Sequence, residues 1–305
     1  MKKVWIWAGG LAVVALIYYI GFRPFEYVVN FKAATVSGDI ISTLRIWNRS
    51  LENARIIQVD STNGLQQEIV FKQRSYLYTW RFTPISDSLT SVAIQVSQPG
   101  QRLWNKLLVP FTTQPIEEDA GYFGKNFYEV VKTHLEITKV RIIGETSLDS
   151  SFCVCRSYQT DQIAKANAMM KDYLLISSFV DFHKFKLNGP PMVRVNEWNH
   201  QLGKLKFDFC FPIYRPEIIP VTDSVAFKAF DKQVALKAEY RGNYITSDRA
   251  WYQLLDYAYK NGYKVVARPV EIFHDNPSMG FNERNWKADI YLPVVKKTKT
   301  LGLDF

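Results

Sequence analysis

The sequence has few residues of the kinds that reveal chemistry directly. It contains three cysteines and four histidines in 305 residues, and none of them follows the spacing of a metal site or of a nucleophile–histidine pair. A phosphate-binding glycine loop and the dinucleotide-binding fingerprint are absent as well. The sequence therefore predicts no metal, no cofactor and no catalytic residue, and an enzyme is not the favoured interpretation.

Three cysteines are an odd number, so they cannot all be paired in disulfides within the chain. Cys153 and Cys155 flank a single residue of a predicted strand, so their side chains point to the same face, and Cys210 lies in a second apolar strand. We expect all three to be small apolar residues of a core. Unpaired thiols are more typical of a reducing compartment.

The net charge of +9 raises the question of nucleic-acid binding. The basic residues are spread along the chain, however, and there is no helix-turn-helix pattern, zinc-finger spacing or basic helix. No nucleic-acid partner is expected. An anionic membrane surface explains the surplus of positive charge more simply.

Residues 4–22 form a run of nineteen residues without a charge, which is long enough to cross a bilayer as a helix. Lys2 and Lys3 precede it, and Trp and Tyr residues lie toward its ends, as at membrane interfaces. The run is longer than a signal-peptide core and ends in bulky residues, which argues against cleavage. We predict an uncleaved single-pass anchor whose flanking charges place the N-terminus in the cytoplasm and the other domains outside.

Residues 25–147 combine β-rich segments with two helical ones. A helix is predicted around residues 36–51, four strands between residues 55 and 97, and a long helix over 117–134. Strand alternation places Tyr76, Tyr78, Trp80 and Phe82 on one face. With the segments YLYTWRFTP and LWNKLLVPF, this order resembles the SRPBCC or START-like helix-grip family. The resemblance implies a curved antiparallel sheet around a C-terminal helix; whether the aromatic face lines a cavity or fills a core stays open.

An internal repeat organises residues 148–298. Each half is predicted as strand, helix, strand, strand, and FDFCFPI (207–213) in the first half aligns with ADIYLPV (288–294) in the second. In both, an aspartate (Asp208 or Asp289) precedes a strand-ending proline by four residues. Ser247 is a candidate N-cap for the second helix. Two such halves are expected to form a pseudo-twofold pair.

Four segments of this region carry a family resemblance: EYRGNY (239–244), the helix-ending NGY, ARPVEIFHDNP (267–277) and the closing WKADIYLPV. Together they resemble the GyrI-like domain, the effector-binding domain of AraC-type regulators. The resemblance implies a central groove that binds organic molecules, often cationic and aromatic, with an acidic residue of the last strand facing it. By position this is Asp289, although the family more often has the longer Glu there.

A carboxylate flanked by rings holds an organic cation by charge pairing and ring-face attraction. The candidate ligand-binding residues are Asp289, Tyr291, Glu271, Phe273, Tyr244, Trp251 and Asp208. Two alternatives stay open. One is a hydrolase of strained-ring substrates acting through Asp289 or Glu271, which would face one cavity from adjacent strands. The other is a scaffold without a ligand, in which Asp289 is solvated or paired with a cation such as Arg268.

The sequence thus predicts an α+β protein in four parts: a membrane anchor (1–24), a helix-grip domain (25–147), a GyrI-like domain (148–298) and a tail (299–305). The predicted function is the binding of a small organic ligand by a membrane-anchored protein. The sequence makes no prediction about oligomeric state.

Overall fold

The computed structural model describes residues 18–60, 64–266, 268–280 and 282–296, together with positions 7, 10, 11 and 14. Within these residues the protein has the predicted mixed α+β architecture, with antiparallel sheets and five α-helices. The chain divides into two compact units, Met1–Thr133 and His134–Phe305.

The first unit is built on a five-stranded antiparallel sheet in the order β1–β5–β4–β3–β2. Its strands are β1 (Tyr27–Ala33), β2 (Ala54–Asp60), β3 (Gly64–Phe71), β4 (Arg74–Ser86) and β5 (Leu89–Ser97). Its helices are α1 (Ser37–Ser50), α2 (Arg102–Leu108) and α3 (Pro115–Ile137), and a π-helical turn (Tyr18–Phe22) precedes β1. Buried and more exposed residues alternate along β4 and β5, because successive side chains of a strand point to opposite faces.

The core of the first unit is aromatic. Trp80 of β4 meets Phe127 of α3 edge-on with ring centroids 4.9 Å apart, and Trp47 of α1 lies 5.2 Å from the same ring. The predicted common face of Tyr76, Tyr78, Trp80 and Phe82 is buried against these helices. The aromatic rings therefore pack as a core between the sheet and its helices.

The predicted membrane anchor falls mostly outside the described residues. Of the run 4–22, the structure describes positions 7, 10, 11 and 14 and the turn Tyr18–Phe22. In the described part of the chain, no helix has both the length and the hydropathy that a bilayer span requires. The anchor remains a prediction.

The second unit contains a sheet of nine strands in the order β10–β7–β9–β8–β13–β14–β11–β6, with β12 paired to β14. The strands are β6 (Lys139–Leu148), β7 (Ser151–Asp161), β8 (Met192–Asn199), β9 (Lys204–Ile213), β10 (Ala226–Phe230), β11 (Gln233–Arg241), β12 (Tyr263–Val265), β13 (Val270–Phe273) and β14 (Lys287–Lys296). The helices are α4 (Lys165–Phe182) and α5 (Arg249–Lys260), with short 3-10 turns at Gln162–Ala164, Tyr244–Thr246, Pro277–Met279 and Glu283–Asn285.

The predicted strand–helix–strand–strand repeat is present as β7–α4–β8–β9 and β11–α5–β13–β14, with β8 and β13 paired at the centre. The two repeats also exchange strands: β6, which precedes the first repeat, pairs with β11, and β10, which precedes the second, pairs with β7. The predicted domain boundary between residues 147 and 148 falls at the last residue of β6, whereas the two compact units divide before this strand, between Thr133 and His134. The partner of β6 lies far along the chain, so local sequence patterns do not reveal it.

Both helices of the second unit pack on one face of the sheet, which we call the helix face. Alternate residues of β9 and β14, such as Phe209 and Ile290, form its core with Trp251 of α5. The residues between them point to the other face, which carries no helix within the described chain and which we call the helix-free face. Its members include Cys153, Cys155, Met192, Arg194, Asp208, Cys210, Lys237, Asp289 and Tyr291.

Two of the three cysteines form a disulfide on the helix-free face. Cys155 of β7 and Cys210 of β9 are direct cross-strand partners, with Cα atoms 4.1 Å apart, and their sulfurs are bonded. Cys153 is buried and free. The prediction that all three are unpaired is therefore wrong for two of them, because the register between β7 and β9 cannot be read from the sequence.

Candidate functional site

A cleft of about 410 Å³ opens on the helix face of the second unit. It lies between the first turns of α4, the 3-10 turn that leads to α5, and the loop that follows β13. Its lining is mainly apolar and aromatic and comprises Ala166, Asn167, Met169, Met170, Tyr173, Leu187, Gly189, Pro190, Pro191, Phe209, Asn243, Tyr244, Ile245, Phe273, His274, Asp275, Asn276, Pro277 and Trp286.

One wall of the cleft is held rigidly by Tyr244. Its ring lies 4.7 Å from Phe273 and 5.4 Å from Trp286, measured between centroids. Its hydroxyl donates to the carbonyl of Lys287 at 2.7 Å and accepts the backbone N–H of Asp275 at 3.0 Å. Burial raises the pKa of Tyr244 above its usual range, so the hydroxyl stays a neutral donor. The aromatic wall is thus preorganised.

The polar side of the cleft comes from the loop after β13. Asp275 supplies the only carboxylate among the described lining residues. The side chain is half-buried, and its Oδ2 accepts the backbone N–H of Lys287 at 2.6 Å. A carboxylate has capacity for several hydrogen bonds. An apolar, ring-lined cleft with one acidic group suits a neutral or cationic aromatic molecule.

Of the residues predicted from sequence, Tyr244 and Phe273 line this cleft. Trp251 and Glu271 lie on the same face but are fully buried and are absent from the lining. The other three, Asp208, Asp289 and Tyr291, lie on the helix-free face. The structure therefore divides the predicted set between two faces of the sheet.

Glu271 is part of a buried polar cluster. The ammonium of Lys165, at the start of α4, donates to its two carboxylate oxygens at 2.6 and 2.5 Å and to the hydroxyl of Ser247 at 2.8 Å. Ser247 donates to Glu271 at 3.0 Å, and the Lys165 ammonium lies 4.8 Å from the centre of the Trp251 ring. The cluster ties α4, β13 and the start of α5 together, and the Glu271 carboxylate is fully engaged.

This cluster also corrects the predicted helix cap. Asp248, not Ser247, occupies the N-cap position of α5, and its side chain makes no capping hydrogen bond. The Ser247 hydroxyl is used by Glu271 and Lys165 instead. A tertiary hydrogen bond has replaced the local one that the sequence predicts.

Asp289 is surrounded by basic groups on the helix-free face. The ammonium of Lys237 and the ring Nε2 of His274 each lie 2.9 Å from its Oδ2. Burial raises the pKa of Asp289, but the hydrogen bonds from Lys237 and His274 outweigh it and the net shift is downward. A third basic group, the ammonium of Lys287, lies 3.9 Å from Oδ1. The partners of Asp289 are thus these three groups rather than Arg268.

Asp208, the equivalent residue in the first repeat, has a similar environment. Lys228 lies 2.7 Å from its carboxylate, and the hydroxyl of Ser157 donates to it at 2.5 Å. Asp208 is almost fully buried. Both aspartates that align in the repeat are thus neutralised by neighbouring strands.

The expectation that Glu271 and Asp289 face one cavity is wrong. In the register between β13 and β14, Glu271 pairs with Ile290 and Ile272 pairs with Asp289. Cross-strand partners point to the same side of a sheet, so the two carboxylates lie on opposite sides. Adjacent strands alone do not specify a shared face.

Several lining residues were missed by the sequence prediction: Met169, Met170, Tyr173, Asp275 and Trp286. A signal existed for all of these except Met169. Met170 and Tyr173 fall on one helical face, which reads equally well as core. Asp275 and Trp286 lie inside the family-like segments 267–277 and 286–294, next to the strand residues that drew attention.

No protein-family model and no curated protein matches the sequence. Among solved structures, the EcmrR C-terminal domain is similar at 13% identity with a TM-score of 0.40, over 52% of this chain and 98% of that one. SAV2435 bound to tetraphenylphosphonium is similar at 12% identity and 0.37, over 52% and 94%. A hydrolase from Listeria innocua is similar at 12% identity and 0.31, over 52% and 91%. Similarity at this level assigns no function. The helix-grip resemblance predicted for the first unit finds no support among these structures.

Proposed function

We propose that the second unit binds a small organic ligand in the cleft on its helix face. The observation that carries this proposal is the cleft itself, whose volume of about 410 Å³ falls within the range of roughly 300–1,000 Å³ typical of small-molecule sites. Its walls combine aromatic rings with a few polar groups that orient a ligand. The sequence resemblance to GyrI-like domains supports the same interpretation.

The ligand is a neutral or cationic aromatic molecule, with Asp275 as the group that favours a cation. Tyr173, Tyr244 and Trp286 offer ring faces, which attract cations, and Asp275 lies among them. The sequence assigned this role to Asp289. Since Asp289 already has Lys237 and His274 as partners, an incoming cation would have to compete with both.

Binding without turnover is favoured over hydrolysis through Asp289 or Glu271. A general base has to reach the water that it activates, directly or through one other water. Glu271 is fully buried with both oxygens held by Lys165, and Asp289 is paired with Lys237 and His274 on the other face. Neither carboxylate is placed to act on a ligand in the cleft.

The proposal includes anchoring of the protein to a membrane through residues 4–22, with the second unit outside the cytoplasm. Its support is the uncharged run and its flanking charges. The disulfide between Cys155 and Cys210 supports an oxidising compartment. The expectation of three free thiols had favoured a reducing compartment instead.

The test is a binding titration of the detergent-solubilised full chain with tetraphenylphosphonium, the cation bound in the SAV2435 structure. Met170 lines the cleft and is partly exposed, so Met170→Trp should fill the cleft without disturbing the core. Leu175→Trp, on the same helix but outside the lining, is the matched control. We expect saturable binding that Met170→Trp abolishes and Leu175→Trp preserves. Equal binding by both variants, or none by the unaltered chain, would refute the proposal.

A further inference from the structure

Helix α2 of the first unit buries polar side chains and exposes apolar ones, which is the reverse of an ordinary surface helix. Asn105 and Lys106 are buried, at 6% and 2% exposure, whereas Leu103 and Trp104 are exposed at 56% and 62%. The exposed apolar side chains of this region, which we call the α2 patch, are Leu103, Trp104, Leu107, Leu108 and Phe111. A single exposed leucine is unremarkable, but a contiguous apolar group opposite a buried lysine and asparagine indicates a binding surface.

Polar contacts hold α2 in this orientation. The amide of Asn105 donates to Gln98 at 3.0 Å, and Arg102 lies 3.5 Å from the buried carboxylate of Glu26. Glu26 also accepts the backbone N–H of Gln98 at 2.7 Å. Burial and the neighbouring Arg102 lower the pKa of Lys106. The polar side of α2 is thus fixed inward, and the α2 patch necessarily faces outward.

The topology of the sheet places the α2 patch beside the N-terminal segment. Strands β1 and β5 are antiparallel, with Tyr27 opposite Val96, so the chain enters β1 where it leaves β5. Helix α2 follows β5 and contacts the turn Tyr18–Phe22, and Arg102 donates to the carbonyl of Arg23 at 3.0 Å. The predicted membrane anchor ends at residue 22. The α2 patch therefore lies next to the point at which the chain would leave the bilayer.

We propose that the α2 patch inserts into the headgroup and acyl boundary of the membrane that residues 4–22 enter. Tryptophan favours this boundary, and the adjacent Arg102 and Arg23 suit lipid phosphates. The position of the α2 patch favours lipid as its partner, because a surface beside a membrane anchor meets lipid at high effective concentration. This inference rests on the proposed anchoring, and it adds a second contact that holds one end of the first unit's sheet against the bilayer.

The test uses the full chain in vesicles of phosphatidylcholine and phosphatidylglycerol. Spin labels are attached to Trp104→Cys and, as a second position, Leu107→Cys. Ser88→Cys, in the turn at the far end of β5, is the control, and the unaltered chain, whose free Cys153 is buried, gives the background. Flotation reports anchoring. Collision of the label with oxygen, which enters lipid, and with a water-soluble nickel complex reports its surroundings.

We expect the vesicles to carry the chain, and the ratio of oxygen to nickel accessibility to be several-fold higher at positions 104 and 107 than at 88. If the chain floats but all three labels meet the nickel complex equally, the α2 patch inference is wrong and anchoring stands. Labels shielded from both reagents would mean that protein, such as a second copy of the chain, covers the patch, which also overturns the inference. A chain that does not float removes the anchor and the inference together.

Discussion

The exchange of Asp275 for Asn tests which carboxylate, if any, selects a cationic ligand. Asp275 lines the cleft on the helix face, whereas Asp289 lies on the helix-free face with Lys237 and His274. The amide oxygen of Asn still accepts the N–H of Lys287, which Asp275 holds at 2.6 Å, so the loop should keep its structure. Asp289→Asn is the matched control, because it removes the same charge from the other face.

The expected magnitude follows from the partial burial of Asp275. Two unit charges about 4 Å apart attract by about 1 kcal/mol in water and by about 4 kcal/mol at the effective dielectric constant near a protein surface. Solvent screening of a half-exposed carboxylate brings the net value toward the lower figure. We expect a loss of about 1–1.4 kcal/mol, or about five- to tenfold weaker binding.

The assay is titration of tetraphenylphosphonium and of the neutral dye Nile red into the full chain and both variants. Asp275→Asn should weaken only the cation, and added salt should narrow the difference between the unaltered chain and the variant. Asp289→Asn should leave both affinities unchanged. If Asp289→Asn alone weakens the cation, the ligand lies on the helix-free face and the assignment of the cleft is wrong.

Three further predictions concern the framework of the second unit on both faces of its sheet. Lys165→Met leaves the buried carboxylate of Glu271 without its cation, so the free energy of unfolding in denaturant should fall by about 3–5 kcal/mol; a loss below about 1 kcal/mol would show that the pair is not buried in solution. The disulfide between Cys155 and Cys210 predicts one reactive thiol in the denatured chain without reductant and three with it; three in both cases would exclude it. The lowered pKa of Asp289 means that its ionised form adds stability above its ordinary pKa of 3.8, which is lost as the pH falls through the folded value. The difference in unfolding free energy between the unaltered chain and Asp289→Asn should therefore vanish in acid, and a difference that grows in acid would contradict the shift.

Local pattern predicted much of the fold, since the physics that forms these elements is itself local. Alternation along residues 76–82 identified the buried face of β4, and the repeat of strand, helix, strand and strand predicted the symmetric sheet. Pairings between distant segments were not predictable in this way. The exchange of β6 and β10 depends on which distant strands pair. The bond between Cys155 and Cys210 depends on the register of β7 and β9, because a slip of one residue would turn every side chain of a strand to the other face of the sheet.

The candidate site was predicted less well, for the same reason. Sequence similarity selected Asp289 by its position on the last strand, but the side to which a strand residue points depends on the face that the helices cover. Tyr244 and Phe273 line the cleft, whereas the carboxylate of Glu271 is paired with the buried ammonium of Lys165. The α2 patch was not predicted from the sequence. The polar residues of α2 point inward and its apolar residues outward, which is the opposite of the usual pattern of a surface helix.

The most direct test of the central claim is the position of a bound ligand in a crystal of the full chain. Tetraphenylarsonium has the shape and charge of the phosphonium probe, and its arsenic atom gives an anomalous signal. We predict a single strong peak in the cleft, among Tyr173, Tyr244 and Trp286. A peak beside Asp289 on the helix-free face, or crystals grown with saturating ligand that show none, would contradict the account.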